Sequence, residues 1–173
     1  MKKVIIGLLT IGFLSTGIAQ TKEIQLENVT IRPLNLSYLK SVQDENTPPF
    51  VKALENKAAR YDITESPVFE REFDAYEVVF DAIKKEGADG IIMATYDQNG
   101  KILSSIERYK NVSLPKTVRD VCLKQYPDYK IHKDFYLVSY DYNDESVKKI
   151  YKVQMKNGNS KKNLKIDANG IIQ

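Results

Sequence analysis

ADGIIMATYDQNGKILSSIERYKN, residues 88–111, reads as a strand, a tight turn and a second strand. The turn is Asp97-Gln98-Asn99-Gly100. An aspartate in first position accepts a hydrogen bond from a backbone N–H two residues on, while asparagine and glycine tolerate the left-handed conformation that closes a hairpin. The same device returns near the C-terminus, where Asp167-Ala168-Asn169-Gly170 lies between Leu164-Lys165-Ile166 and Ile171-Ile172. Two copies of one turn, both set among β-formers, predict antiparallel sheet with short connections.

Outward from that hairpin the chain repeats its landmarks. A helix opening with proline is expected over Pro49 to Arg60, on the stripe Phe50, Val51, Leu54 and Ala58, and again from Pro115 to Tyr126. Tyr61-Asp62-Ile63 matches Tyr129-Lys130-Ile131, Tyr76-Glu77-Val78-Val79-Phe80 matches Tyr151-Lys152-Val153-Gln154-Met155, and the two Asp-x-Asn-Gly turns close the series. From the helix starts to the turns, the separations are 66, 68, 75 and 70 residues. Local rules alone divide over Val68 to Ile83, where Asp74, Glu77 and Gly87 also make a helix signature; the repeat assigns Tyr76 to Phe80 to a strand. Further strands are expected over Ile131 to Tyr142, Val147 to Lys156 and Lys161 to Asp167, with a short last one from Ile171. Thr21 to Val42 reads as two extended segments broken at Pro33.

The expected fold is therefore α+β: two tandem repeats, each a helix packed on one face of an antiparallel β-meander. Residues 20–110 form the first half, with an N-terminal extended segment, and 111–173 the second. Residues 1–19 read as a cleaved signal peptide: Lys2 and Lys3, an apolar run from Val4 to Leu14, and the small-x-small site Gly17-Ile18-Ala19. No cysteine near the cleavage point offers a lipid attachment site, so the expected location is periplasmic or secreted, with no membrane insertion after cleavage.

Without Lys2 and Lys3, 24 basic residues stand against 23 acidic ones, and no run of Lys and Arg is dense enough to suggest nucleic acid as a partner. Lys148-Lys149 and Lys161-Lys162 read as solvated strand faces. Cys122 is the only cysteine and shares an apolar helical stripe with Val118, Val121 and Tyr126, which favours a buried thiol. With no internal disulfide possible, an apolar core must carry stability.

Motifs for catalysis are absent. His132, the only histidine, stands between Ile131 and Lys133 and reads as a solvent-facing strand residue; no Gly-x-Ser-x-Gly, Gly-Lys-Ser/Thr, His-x-Gly-His or Cys-x-x-Cys motif occurs. Fitting the Asp97 turn to an EF-hand puts Thr95 at the loop's start and Ile106 at its end, where carboxylates are needed. Asp97, Asn99, Gly100, Asp167, Asn169 and Gly170 thus read as structural turn residues, and no metal or cofactor is expected. Carboxylate pairs such as Glu70 with Glu72, or Asp141 with Asp144, are what 23 acidic residues make by chance.

The remaining candidate is aromatic. In the strand from Asp134, Tyr136, Val138, Tyr140 and Tyr142 point one way, and Phe135, Leu137, Ser139 and Asp141 the other. If helices cover Phe135 and Leu137, then Tyr136, Tyr140 and Tyr142 form a protein-binding stripe on the open face; the alternative places Tyr136 and Tyr140 in the core.

Leu114-Pro115, Tyr126-Pro127-Asp128-Tyr129-Lys130-Ile131, Tyr151-Lys152-Val153 and Asp167-Ala168-Asn169-Gly170 together resemble the PepSY-like proteins of Bacteroidetes-type periplasms. The first half matches chiefly through Tyr76 to Phe80 and Tyr96 to Leu103. That family's fold is similar to the tandem-repeat β-lactamase inhibitor protein, and the resemblance implies a small exported domain that binds proteins or peptides and is not an enzyme. The expected function is a non-catalytic binding module for an extracytoplasmic protein or peptide, inhibitory or regulatory in effect. The alternative is a structural envelope or secreted component that self-associates through sheet edges.

Overall fold

The computed structural model describes residues 34–83, 87–144 and 147–173, all within one compact unit, Arg32–Gln173. The signal-peptide expectation for residues 1–19 and the extended segment before Leu34 lie outside the described residues. In chain order the elements are α1 (Leu36–Val42), α2 (Pro49–Arg60), a 3-10 turn (Ile63–Glu65), β1 (Ala75–Ile83), β2 (Asp89–Asp97), β3 (Ile102–Lys110), α3 (Lys116–Gln125), β4 (Lys130–Asp141), β5 (Lys148–Asn157) and β6 (Ser160–Asp167). The architecture is α+β, with one six-stranded sheet in the order β1-β2-β3-β4-β5-β6 and every neighbour antiparallel.

Proline sets both long helices. Pro49 occupies the first turn of α2 and Pro115 caps α3, positions where a fixed φ helps and a missing N–H costs nothing. The buried stripes are Val51, Leu54, Ala58 and Ala59 on α2, and Val118 and Cys122 on α3. These residues share one core with alternate strand residues such as Phe80, Ile92, Tyr96, Val138 and Val153, so all three helices cover the same face of the sheet. Each strand alternates buried and exposed positions accordingly.

The two Asp turns have one geometry. Asp97 Oδ1 accepts from the N–H groups of Asn99 (2.8 Å) and Lys101 (2.9 Å), and Asp167 Oδ1 from those of Asn169 and Ile171 (2.9 Å each). Gly100 and Gly170 supply the left-handed backbone, at φ +79° and +85°. Asn35, 2% exposed, ties the first turn to the helices. Its Nδ2 donates to Gly100 O (2.9 Å), its Oδ1 accepts from Ile102 N (2.7 Å), and its backbone N–H donates to Ala59 O.

The chain from Leu36 to Val42 is a helix, not the extended segment expected there. Its buried residues are Tyr38, Leu39 and Val42, at helical spacing, while Leu34 and Leu36 are exposed. A loose alternation over few residues has no power against that packing. The repeat landmarks also diverge. Tyr76–Phe80 lies in β1, as the match with β5 required, but Tyr61-Asp62-Ile63 enters a 3-10 turn whereas Tyr129-Lys130-Ile131 begins β4. No strand precedes β1 to mirror β4 among the described residues. The sheet is continuous across the junction of the halves, since β3 and β4 pair from Ser104↔Asp141 to Lys110↔Phe135.

The sheet's covered face carries a ladder of tyrosines. Gly90, Tyr109, Tyr136, Tyr151 and Ile166 stand in one register row across five strands. The Tyr136 ring stacks on Tyr151 (centroids 4.4 Å apart, 15° between planes) and on Tyr109 (5.9 Å, 26°). Gly90 makes room for its end, because a Cβ there would stand 2.7 Å from Tyr109 Cδ1.

Candidate functional site

On the uncovered face, strand alternation brings out a different set of side chains. Val79, Met93 and Ile106 form one cross-strand row, and Ile91, Arg108, Leu137 and Ile150 the next. Ile106 is 65% exposed and Val79 52% exposed. Six strands of about nine residues, at roughly 4.8 Å between strands and 3.3 Å per residue, make a face of about 700 Å². A standard protein interface covers about 800 Å² per partner, so the face is of docking size.

The next two rows turn basic. Phe135, Lys152 and Lys165 lie side by side, and beyond them Lys133, Gln154 and Asn163. These six residues line a cleft of about 490 Å³ over β4, β5 and β6, with no Asp or Glu side chain in its lining. The Arg108 guanidinium lies 4.6 Å from the Phe135 ring centroid. Gln154 Nε2 donates to Asn163 Oδ1 (3.1 Å), while Gln154 Oε1 is buried with no partner. Lys133 reaches this face because of a β-bulge. The register shifts between Ile131 and Lys133, so Ile131 packs toward the core and Lys133 opens to solvent, with His132 exposed at the bulge itself.

The aromatic stripe expected on the open face is corrected by the same alternation. Tyr136 (1% exposed) and Tyr140 (5%) belong to the covered face, and Tyr38 packs edge-on against Tyr140 at 5.3 Å. Tyr142 lies beyond the end of β4, half-exposed, with Lys101 Nζ over its ring. The helices cover the tyrosine parity of β4, and Phe135 and Leu137 are the half-buried open-face residues. Cys122 is fully buried, and burial pushes its thiol up to about 11.

Under the helices lies a second polar group that sequence reasoning missed. Glu107, 1% exposed, accepts hydrogen bonds from Tyr38 Oη (2.8 Å), Ser105 Oγ (2.8 Å) and Tyr109 Oη (2.6 Å). Glu55 of α2 is fully buried beside it, and neither of its carboxyl oxygens has a well-formed hydrogen bond. Burial raises both carboxyl pKa values. The neighbouring Glu107 charge raises that of Glu55 further, while the three hydroxyl donors act in the opposite sense on Glu107. The hydroxyls of Tyr38 and Tyr109 are likewise raised, by burial first and then by the carboxylates. Two carboxyls in one apolar site hold a proton between them. The group has no solvent-facing mouth, so its chemistry is internal to the core. No cluster of three or more His, Cys, Asp or Glu able to hold a metal occurs among the described residues.

Two further carboxylates, buried Asp134 and exposed Asp44, complete the electrostatics. Asp134 accepts from Val112 N (3.2 Å), yet burial pushes its carboxyl up to about 6. For Asp44, burial opposes ionisation, but the hydrogen bond and charge of Lys149 hold the carboxyl below its usual range. Compared with protein-family models, curated proteins and solved structures, the chain matches none.

Proposed function

We propose that the protein is an exported, non-catalytic binding module that docks an extracytoplasmic protein or peptide on the open face of its sheet. The observation that carries this reading is the face itself: Val79, Met93 and Ile106 meet across three strands, and no helix among the described residues lies over them. Contiguous apolar surface of this kind, rimmed by charge, marks interaction sites. Regulation or inhibition of the docked partner would follow from steric cover. The PepSY-like resemblance supports the same reading, as does the shared geometry of the two Asp turns, which favours two divergent tandem halves.

The test is capture from the envelope and secreted fractions of the source organism by the immobilised chain, scored by mass spectrometry. The parent should retain a partner that a Met93→Ser/Ile106→Ser variant with unchanged melting loses. A partner retained equally by both would remove the open face from the binding surface. A second reading, self-association through an edge, is favoured by β1, whose nine residues pair on one side only, with β2, and contain no proline. Light scattering that rises with protein concentration and vanishes on Val79→Lys would select it.

A further inference from the structure

The basic half of the open face narrows the chemistry of that partner, and the inference rests on the reading above. We propose that the cleft over β4, β5 and β6 takes an extended acidic segment, a peptide whose sheet-facing side chains run apolar, carboxylate, carboxylate at alternate positions. Lys133, Lys152 and Lys165 arrive from three different strands and converge on one cleft with no acidic residue in its lining. None of the three has an ion-pair partner among the described residues; Lys110, by contrast, is engaged by Asp89 at 3.3 Å. Of the open-face acids, Glu77, Asp81 and Asp89 lie on the far strands and Asp141 at a strand end, while Asp167, one row from Lys165, has its Oδ1 engaged by the turn N–H groups of Asn169 and Ile171. Uncompensated lysines side by side repel one another and are relieved by an anion.

Two further features favour a peptide over a phosphate or sulfate polymer. Leu137 and Ile150 adjoin the cleft and offer contact to apolar side chains, which such polymers lack. Successive side chains on one side of an extended peptide recur about every 6.6 Å, which is also the distance between the Lys152–Lys165 row and the Lys133 row, two residues apart along the strands. Alternate carboxylates of one peptide therefore reach both lysine rows, with an apolar side chain two residues further on over Leu137 and Ile150.

The probe is a fluorescein-labelled eight-residue peptide of sequence Ser-Leu-Ser-Glu-Ser-Glu-Ser-Gly, titrated with the protein at low salt and read by fluorescence anisotropy. Saturable binding is expected, lost for the counterpart with Lys in place of both Glu and weakened about tenfold in a Lys133→Gln/Lys152→Gln/Lys165→Gln variant that melts with the parent. Equal affinity of parent and variant overturns the proposal. Tighter binding of a sulfated glycan than of the peptide also overturns it and assigns the cleft to anionic polysaccharide. For any partner captured as above, loss by Met93→Ser/Ile106→Ser with full retention by the lysine variant would leave the docking face standing and remove the acidic segment. Retention by both variants would remove both.

Discussion

At the scale of single residues, Glu55 is the clearest departure from what a core should contain. An α2 position facing the sheet ordinarily holds an apolar side chain, and here a fully buried carboxyl stands against a second one. The groups that face it are Glu107 from β3, Gln43 after α1 and Lys149 from β5, with Tyr38 and Tyr109 bonded to Glu107. Burial and the Glu107 charge raise the Glu55 pKa to about 8, against about 4.3 in an unfolded chain. A raised carboxyl pKa means that the folded state binds the proton more tightly. Its stabilising effect is fully present below the unfolded value and is lost as pH rises through the folded value. Urea melts from about pH 5 to about pH 9 should therefore show falling stability, levelling off above about 8. Glu55→Gln should flatten most of that slope and leave the protein more stable than the parent by about 2 kcal/mol at the alkaline end. Glu107 and Asp134, both also raised by burial, retain a smaller slope in the variant, that of Asp134 between about pH 4 and 6. A parent whose stability is level across this range would show that Glu55 ionises in the fold without penalty.

Among elements, β4 shows what sequence can and cannot reveal. Its existence was legible from a long run of β-formers between Pro127 and the polar turn after Tyr142, but its orientation was not. Both parities are apolar, Tyr136, Val138 and Tyr140 on one side and Phe135 and Leu137 on the other. The choice is made by α1, which is distant in sequence and was itself misread as extended. Helices α2 and α3 were legible because proline marks their starts locally. The basic cleft was not, because Lys133, Lys152 and Lys165 become neighbours only through strand register and a one-residue bulge at His132. No pattern along the chain encodes that adjacency. The face assignment has a direct consequence for the tyrosines. Tyr136→Ser empties the middle of a three-ring stack and should cost about 3–5 kcal/mol. Tyr142→Ser, at a half-exposed position, should cost within about 0.5 kcal/mol. Denaturant midpoints for the two variants measure the contrast directly, and similar values would mean that the helices cover the opposite parity.

For the whole described unit, the decisive question is whether two halves fold as two bodies or one. Landmarks in the sequence suggest a junction near residues 110–111, and each half carries its own proline-started helix and its own Asp turn. Yet both backbone pairing and side-chain stacking run on across that junction. The β3–β4 ladder pairs seven residues on each strand, and the row Tyr109, Tyr136, Tyr151 carries a stacked aromatic core from the first half into the second. Helix α1, from the first half, packs Tyr38 against Tyr140 of β4, and Lys149 of β5 pairs with Asp44 in the loop after α1. Severing the chain at the junction would expose the edge of β3, the edge of β4 and one end of the tyrosine stack at once, so neither half can shed the other without losing its own core. Scanning calorimetry should therefore give a single transition whose calorimetric and van't Hoff enthalpies agree. Hydrogen exchange should be slowest in β3 and β4 and fastest at the edges β1 and β6, since the central ladder opens only on global unfolding. Two resolved transitions, or protection that is lost first at the β3–β4 ladder, would establish the halves as separate folding units and make the continuous sheet a docking of two domains.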